Sequence, residues 1–175
     1  MSNRSISANR SEGTFEVTSN GATPILVSCC GPKQCHPCRA QHMYTSTTFL
    51  LAKRYAILSA KPWYILSTKH GLLHPDSHIE PYDLRLGRPG DDGRLEWASM
   101  ILRQLDQDRS FDCRKIELLA GYDYCRTLVP ALQKRGFEVQ QPLVGLGHGQ
   151  RQRWLRLHSS RMTPGFGYPS QEAAR

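Results

Sequence analysis

Four short apolar runs, each separated from the next by enough chain to form a helix, constrain this sequence more than any other feature. The first is Thr23-Pro24-Ile25-Leu26-Val27-Ser28-Cys29-Cys30, opened by proline and closed by Gly31-Pro32. The second, Trp63-Tyr64-Ile65-Leu66, is launched by Lys61-Pro62, and the third is Lys115-Ile116-Glu117-Leu118-Leu119-Ala120-Gly121. Continuous apolar runs of this length, without polar alternation, read as strands buried on both faces. The fourth, Phe137 to Pro142, is poorer, and its proline marks it as an edge. Between the runs, Thr45 and Ser46 are N-cap candidates for a helix carrying Phe49, Leu50, Ala52, Lys53, Tyr55 and Ala56. Leu95, Ala98, Ile101, Leu102 and Leu105 keep helical spacing up to Gln107 or Asp108. A third helix spans Tyr124 to Arg135, with Gly136 closing it and Lys134 and Arg135 in its last turn. Pro130 should kink that helix or mark its true start. A glycine-spaced turn, Gly145-Leu146-Gly147-His148-Gly149, leads into a last helix from Arg151 to His158. This alternation predicts an α/β fold, a three-layer α/β/α sandwich around a mostly parallel four-stranded sheet.

The flanks read differently. Residues 1–22, rich in Ser, Asn, Gly and Thr, are expected to be a disordered tail, and residues 159–175 a loosely ordered one, leaving a single domain over residues 23–158. A chain of 175 residues has room for a core, so folding requires neither a disulfide nor a metal. No apolar run approaches the roughly 20 residues that cross a bilayer. A cytoplasmic monomer is the expectation. Against 15 acidic residues stand 23 Lys and Arg, a net charge of +8, which points to an anionic partner, nucleic acid first.

Among six cysteines, Cys30, Cys35 and Cys38 have the spacing C-x4-C-x2-C. It overlaps iron–sulfur spacing, and Cys35-His36-Pro37-Cys38 alone could be half a zinc site. A fourth ligand is missing nearby and only one close pair is present, so no metal or other cofactor is expected.

The chemistry concentrates between Trp63 and Asp83. An apolar strand there breaks at Ser67 into a run holding Lys69, His70, His74, Asp76, His78, Glu80, Tyr82 and Asp83. Polar, titratable groups delivered from the carboxyl end of a strand are how open α/β sheets build ligand sites. Ser67 offers a hydroxyl and Lys69 an ammonium for a phosphate or a departing anionic base. His70 can stabilise an anion or shuttle a proton. Asp76, Glu80 and Asp83 are candidates to orient a water, and Tyr82 offers a stacking face. His74 and His78 read better as loop residues. Near the C-terminus, Arg151, Arg153 and Arg156 surround Trp154, a grouping that suits a nucleic-acid backbone or a solvated helix face equally well.

Several ordered motifs resemble a bacterial and phage family related to the YaaA peroxide-stress proteins. They are Ser28-Cys29 with Lys33, Met43-Tyr44-Thr45-Ser46 with Phe49, Ile65 to Leu73, Ile79 to Asp83, Ala120-Gly121 with Tyr124, and Pro142-Leu143 with Gly145, Gly147 and Gly149. That family is in turn similar to the uracil-DNA-glycosylase-like proteins, which implies a four-stranded parallel sheet in three layers. Its loop after Lys33 is not rich in cysteine, so Cys35 and Cys38 stand as local decoration. The resemblance implies cleavage or exchange of an N-glycosidic bond of a base, modified bases included, with DNA favoured over RNA. Under it, Asp83, or Asp76 as second choice, orients water or stabilises an oxocarbenium. Lys69 and His70 serve the leaving base, Tyr82 and Tyr44 stack, Lys33 contacts phosphate, and Gly121, Gly147 and Arg151 line the substrate site. Two rivals stay open: a nucleic-acid-binding protein without catalysis, and a nucleoside or nucleotide hydrolase.

Overall fold

The structure is a computed structural model that describes residues 22–87 and 92–162. All four apolar runs are strands of one sheet. They are β1 (Ile25–Ser28), β3 (Trp63–Ser67), β6 (Lys115–Leu119) and β7 (Glu138–Gln140), all mutually parallel in the order β3-β1-β6-β7. A fifth strand, β4 (Gly71–Leu73), joins antiparallel at the β3 edge, so the sheet has five strands and not the expected four.

Alternate residues of each central strand serve opposite faces, which is why the runs are continuously apolar. Ile25, Val27, Ile65 and Leu119 enter one core with Phe49, Ala52, Tyr55 and Ala56 of α2 (Thr47–Leu58) and Leu155 of α5 (His148–Met162). Leu26, Leu66, Ile116 and Leu118 enter the other, with Trp97, Ile101 and Leu105 of α3 (Asp92–Gln107) and Leu128 and Leu132 of α4 (Tyr122–Lys134). Burying each such side chain contributes about 1.5–3 kcal/mol. The sheet is held from both sides, and its carboxyl-terminal edge is left to loops.

Local chemistry explains most boundaries. Ser46 caps α2 by accepting from Phe49 N at 3.3 Å, one of the two expected caps. Pro130 lies inside α4 and does not start it. The last helix begins at His148 and runs to Met162, so residues 159–162, assigned to a loose tail, are helical, with Ser159 buried. The segment after the first apolar run carries two short elements: β2 (Cys38–Arg39) and α1 (Ala40–Met43). There β2 pairs antiparallel with β5 (His78–Ile79), from the polar run after β3. Residues 1–21, 88–91 and 163–175 lie outside the described residues, and with them most of the expected N-terminal tail and the rest of the expected C-terminal one.

The missed strand β4 depends on a helix. Gln104 of α3 accepts from Leu72 N at 2.7 Å through Oε1 and donates to His70 O at 3.0 Å through Nε2. One side chain thus covers part of an open strand edge. Trp97 Nε1 donates to Ser67 O at 2.9 Å, which ties the end of β3 to the same helix. Gly71, at φ +71°, makes the reversal between β3 and β4 accessible.

Candidate functional site

The chain leaves β1 toward β3 on one side and returns to β6 on the other, so β1 and β6 form the switch point where open α/β sheets gather ligands. Beyond the carboxyl ends of β1, β3 and β6 the side chains form a connected network. Tyr44 and Tyr82 share a hydrogen bond between hydroxyls at 2.9 Å, and Tyr82 Oη lies 2.8 Å from Ser67 Oγ. Ser67 Oγ also accepts from the backbone amides of Lys69 and His70, at 3.2 and 3.0 Å. On the other side, Cys29 Sγ lies 3.2 Å from Tyr124 Oη, which donates to Cys29 O at 3.1 Å. Burial pushes the Tyr44 and Tyr124 phenols well above their usual range and the Tyr82 phenol up. They are neutral at physiological pH and act as hydrogen-bonding groups only.

A cleft of about 970 Å³ opens over this network. Its wall includes Cys29, Lys33, Tyr82, Asp83, Arg94 and Tyr124. Lys33 Nζ stands 4.6 Å from the centre of the Tyr82 ring and Lys69 Nζ 5.8 Å, both in cation–π range. Asp83, the next residue, is exposed on the same cleft. His70 meets the Tyr82 ring edge-on at 5.5 Å. Burial first, and the Lys69 charge second, hold its imidazole below its ordinary range, so His70 is neutral near pH 7.

A second compartment of about 420 Å³ shares Cys30, Gly31, Asp123 and Tyr124 with the cleft. Its far wall is Gly121, His148 and Arg151. Arg94 is buried and fastens the region below: Nη2 reaches Asp123 Oδ1 at 3.4 Å, Nη1 reaches Asp123 O at 3.3 Å, and Nε donates to Gly87 O.

The sequence expectations divide cleanly. Lys33, Tyr82 and Asp83 come together on the cleft, Lys69 and His70 stand behind Tyr82, and Gly121 and Arg151 line the smaller compartment. Tyr44 and Ser67 are internal, 1% and 0% exposed, and both hydrogen-bond the Tyr82 hydroxyl. With Lys33 over its ring, Tyr82 steadies ammonium groups and does not offer a bare stacking face. Asp76 is elsewhere: it accepts from Arg39 Nη1 at 2.9 Å and Gln41 Nε2 at 2.8 Å, tying β2 and α1 to the loop before β5. Gly147 lines neither cavity, and its amide already donates to Gln150 Oε1 at 2.8 Å. Cys30 bonds Ser46 Oγ, Cys35 is exposed beside His36, and Cys38 starts β2. Among the described residues, no three or more His, Cys, Asp or Glu side chains are placed to hold a metal ion. No described helix is long and apolar enough to cross a membrane.

Sequence reasoning did not single out Cys29, Arg94, Asp123, Tyr124 or His148 as site residues. Cys29 looked like a strand end and Tyr124 like part of a helix face. For Cys29, Asp123 and Tyr124 the available signal was their position just past the ends of β1 and β6, next to the switch point; Arg94 and His148 are brought in by α3 and α5.

These features define an open α/β domain with a cleft at the carboxyl edge of a mostly parallel sheet. The chain belongs to a family of unknown function, DUF6884, whose model matches residues 25–157. It is also similar to the "Uncharacterized protein YfjM" of Bacillus subtilis (strain 168), with 30% identity over 116 residues, 64% of this chain and 75% of that protein. No solved structure matches it significantly.

Proposed function

We propose that the chain is a nucleic-acid-directed enzyme that cleaves or exchanges the N-glycosidic bond of a base, DNA being favoured over RNA. The observation that carries this reading is the pairing, in one large cleft, of an ammonium held over Tyr82 with the exposed carboxylate of Asp83. N-glycosidic cleavage needs those two groups: a cation for the base as it leaves with the bond's electron pair, and a carboxylate to orient water and take its proton as oxygen bonds to the sugar carbon. Lys33 is the cation nearest the ring, with Lys69 behind it. The neutral phenols of Tyr82 and Tyr124 line a floor that adds hydrogen bonds.

The resemblance to YaaA-related and glycosylase-like proteins supports the reading. So does a sheet with a core on each face, which fits the three-layer α/β/α sandwich of those proteins. A basic chain with free thiols also suits a cytoplasmic site of action.

The test is mass spectrometry of DNA incubated with wild type, Asp83→Asn and Lys33→Met. Released base should fall by about 10²–10⁴ in Asp83→Asn and clearly in Lys33→Met. Equal background release from all three proteins sinks the proposal. Salt-dependent DNA retention with the substrate intact would turn it into a binding protein.

A further inference from the structure

The smaller compartment contains an electrostatic conflict that the protein itself does not resolve. Gly121 caps α4 and has no side chain to accept from the first-turn amides. The positive end of a helix 13 residues long therefore faces the cavity. Arg151, delivered by α5, lies against the same spot: a Cβ built on Gly121 would stand 3.3 Å from its Nη1. The Arg151 Nε is buried without a hydrogen-bond partner, and among the described residues the guanidinium has no ion pair. The one carboxylate on the wall, Asp123, is committed to Arg94 at 3.4 Å. His148 adds a further nitrogen on the α5 side, and its Nε2 lies 3.0 Å from Gln152 Nε2.

A guanidinium pressed against a helix N-terminus is unfavourable unless an anion sits between them. A tetrahedral oxyanion satisfies both partners, since it accepts from planar N–H groups and from backbone amides together. The compartment also shares Cys30, Gly31, Asp123 and Tyr124 with the large cleft, so one ligand can extend across both. We infer that the compartment between the start of α4 and Arg151 is a phosphate site, holding the phosphate of the substrate whose base occupies the neighbouring cleft. The identity of that substrate rests on the function proposed above; the anion site does not.

The experiment is titration with inorganic phosphate, followed by the amide resonances of Tyr122 and Asp123. Wild type binds saturably. Arg151→Met, which keeps the apolar stem, weakens binding at least about tenfold. Lys134→Gln removes the same charge from the opposite end of α4 and stays within about twofold. Gly121→Ala, unstrained at φ −76°, crowds the guanidinium and weakens binding several-fold without threatening the fold. A nucleoside 5′-monophosphate and a short single-stranded oligonucleotide are then competed against phosphate, with a nucleoside as the arm that fails. The stronger competitor tells free nucleotide from polymer. Equal losses in Arg151→Met and Lys134→Gln, or no saturable binding by wild type, overturn the inference. Phosphate binding at this site with no base release from any DNA removes the glycosidic reading and leaves the anion site standing. Base release with unchanged KM in Arg151→Met does the reverse.

Discussion

The two ends of the sheet differ in how completely they satisfy their polar side chains. At the amino end, Glu117 is buried, and both carboxylate oxygens are satisfied: Tyr55 Oη donates to Oε1 at 2.6 Å and Lys61 Nζ to Oε2 at 3.0 Å. Burial first, and Glu117 second, push the Tyr55 phenol up, so it remains a donor. At the carboxyl end, the Nε of Arg151 and the Nε2 of His70 are buried without a partner. One end is a closed circuit that holds strands together, while the other keeps groups whose partners must come from outside. Unsatisfied polar groups weaken a fold, so the two ends should answer substitution differently.

The largest effect should come from breaking the closed end. Lys61→Met leaves the Glu117 carboxylate buried with Tyr55 as its remaining donor and is expected to cost about 3 kcal/mol of unfolding free energy. Urea denaturation measures it, and an unchanged midpoint would mean the two ends do not differ. At the open end the sign reverses. Arg151→Met relieves the repulsion from α4 and should raise stability in phosphate-free buffer by up to about 1 kcal/mol, a gain that shrinks as phosphate is added to both proteins. Destabilisation without phosphate would show that Arg151 has an internal partner.

The smallest effect is a pH dependence. The His70 imidazole is held below its ordinary value of about 6.5, so between the two values the unfolded chain binds the proton and the folded chain does not. Stability from this residue is therefore full above pH about 6.5 and is lost as pH falls toward the lower folded value. Urea midpoints across that range should slope for wild type and slope less for His70→Asn. Identical slopes would remove His70 from the open end.

What could be read from the sequence follows from which interactions are local. The four parallel strands were legible because a strand buried on both faces must be apolar throughout, as Ile25 to Val27 and Ile65 to Leu66 are. Strand β4 was not, since Gly71-Leu72-Leu73 has no strand signature of its own and its exposed edge is completed by Gln104, 32 residues away in sequence. The pairing of β2 with β5 is two residues long and is set by contacts no local pattern encodes. At the site, Tyr82 and Asp83 were found because polar groups crowded after an apolar strand stand out, whereas Lys33 came from the motifs that carry the family resemblance. The depth of Tyr44 and Ser67 could not be read, because residue type does not report burial. Arg151 was noticed as one of several arginines on a helix, but its conflict with the start of α4 exists only once α4 and α5 are brought side by side.

Gly31 has a consequence for how this chain can vary. It sits at φ +75°, and a Cβ there would lie 2.6 Å from that of Ser46, the residue that caps α2. The turn out of β1 and the start of α2 are thus interlocked through a missing side chain. Lys33 follows two residues later, so the ammonium over Tyr82 inherits its place from that interlock. In the vocabulary of heredity, the alphabet at position 31 shrinks to one letter, although that residue has no side chain of its own to offer.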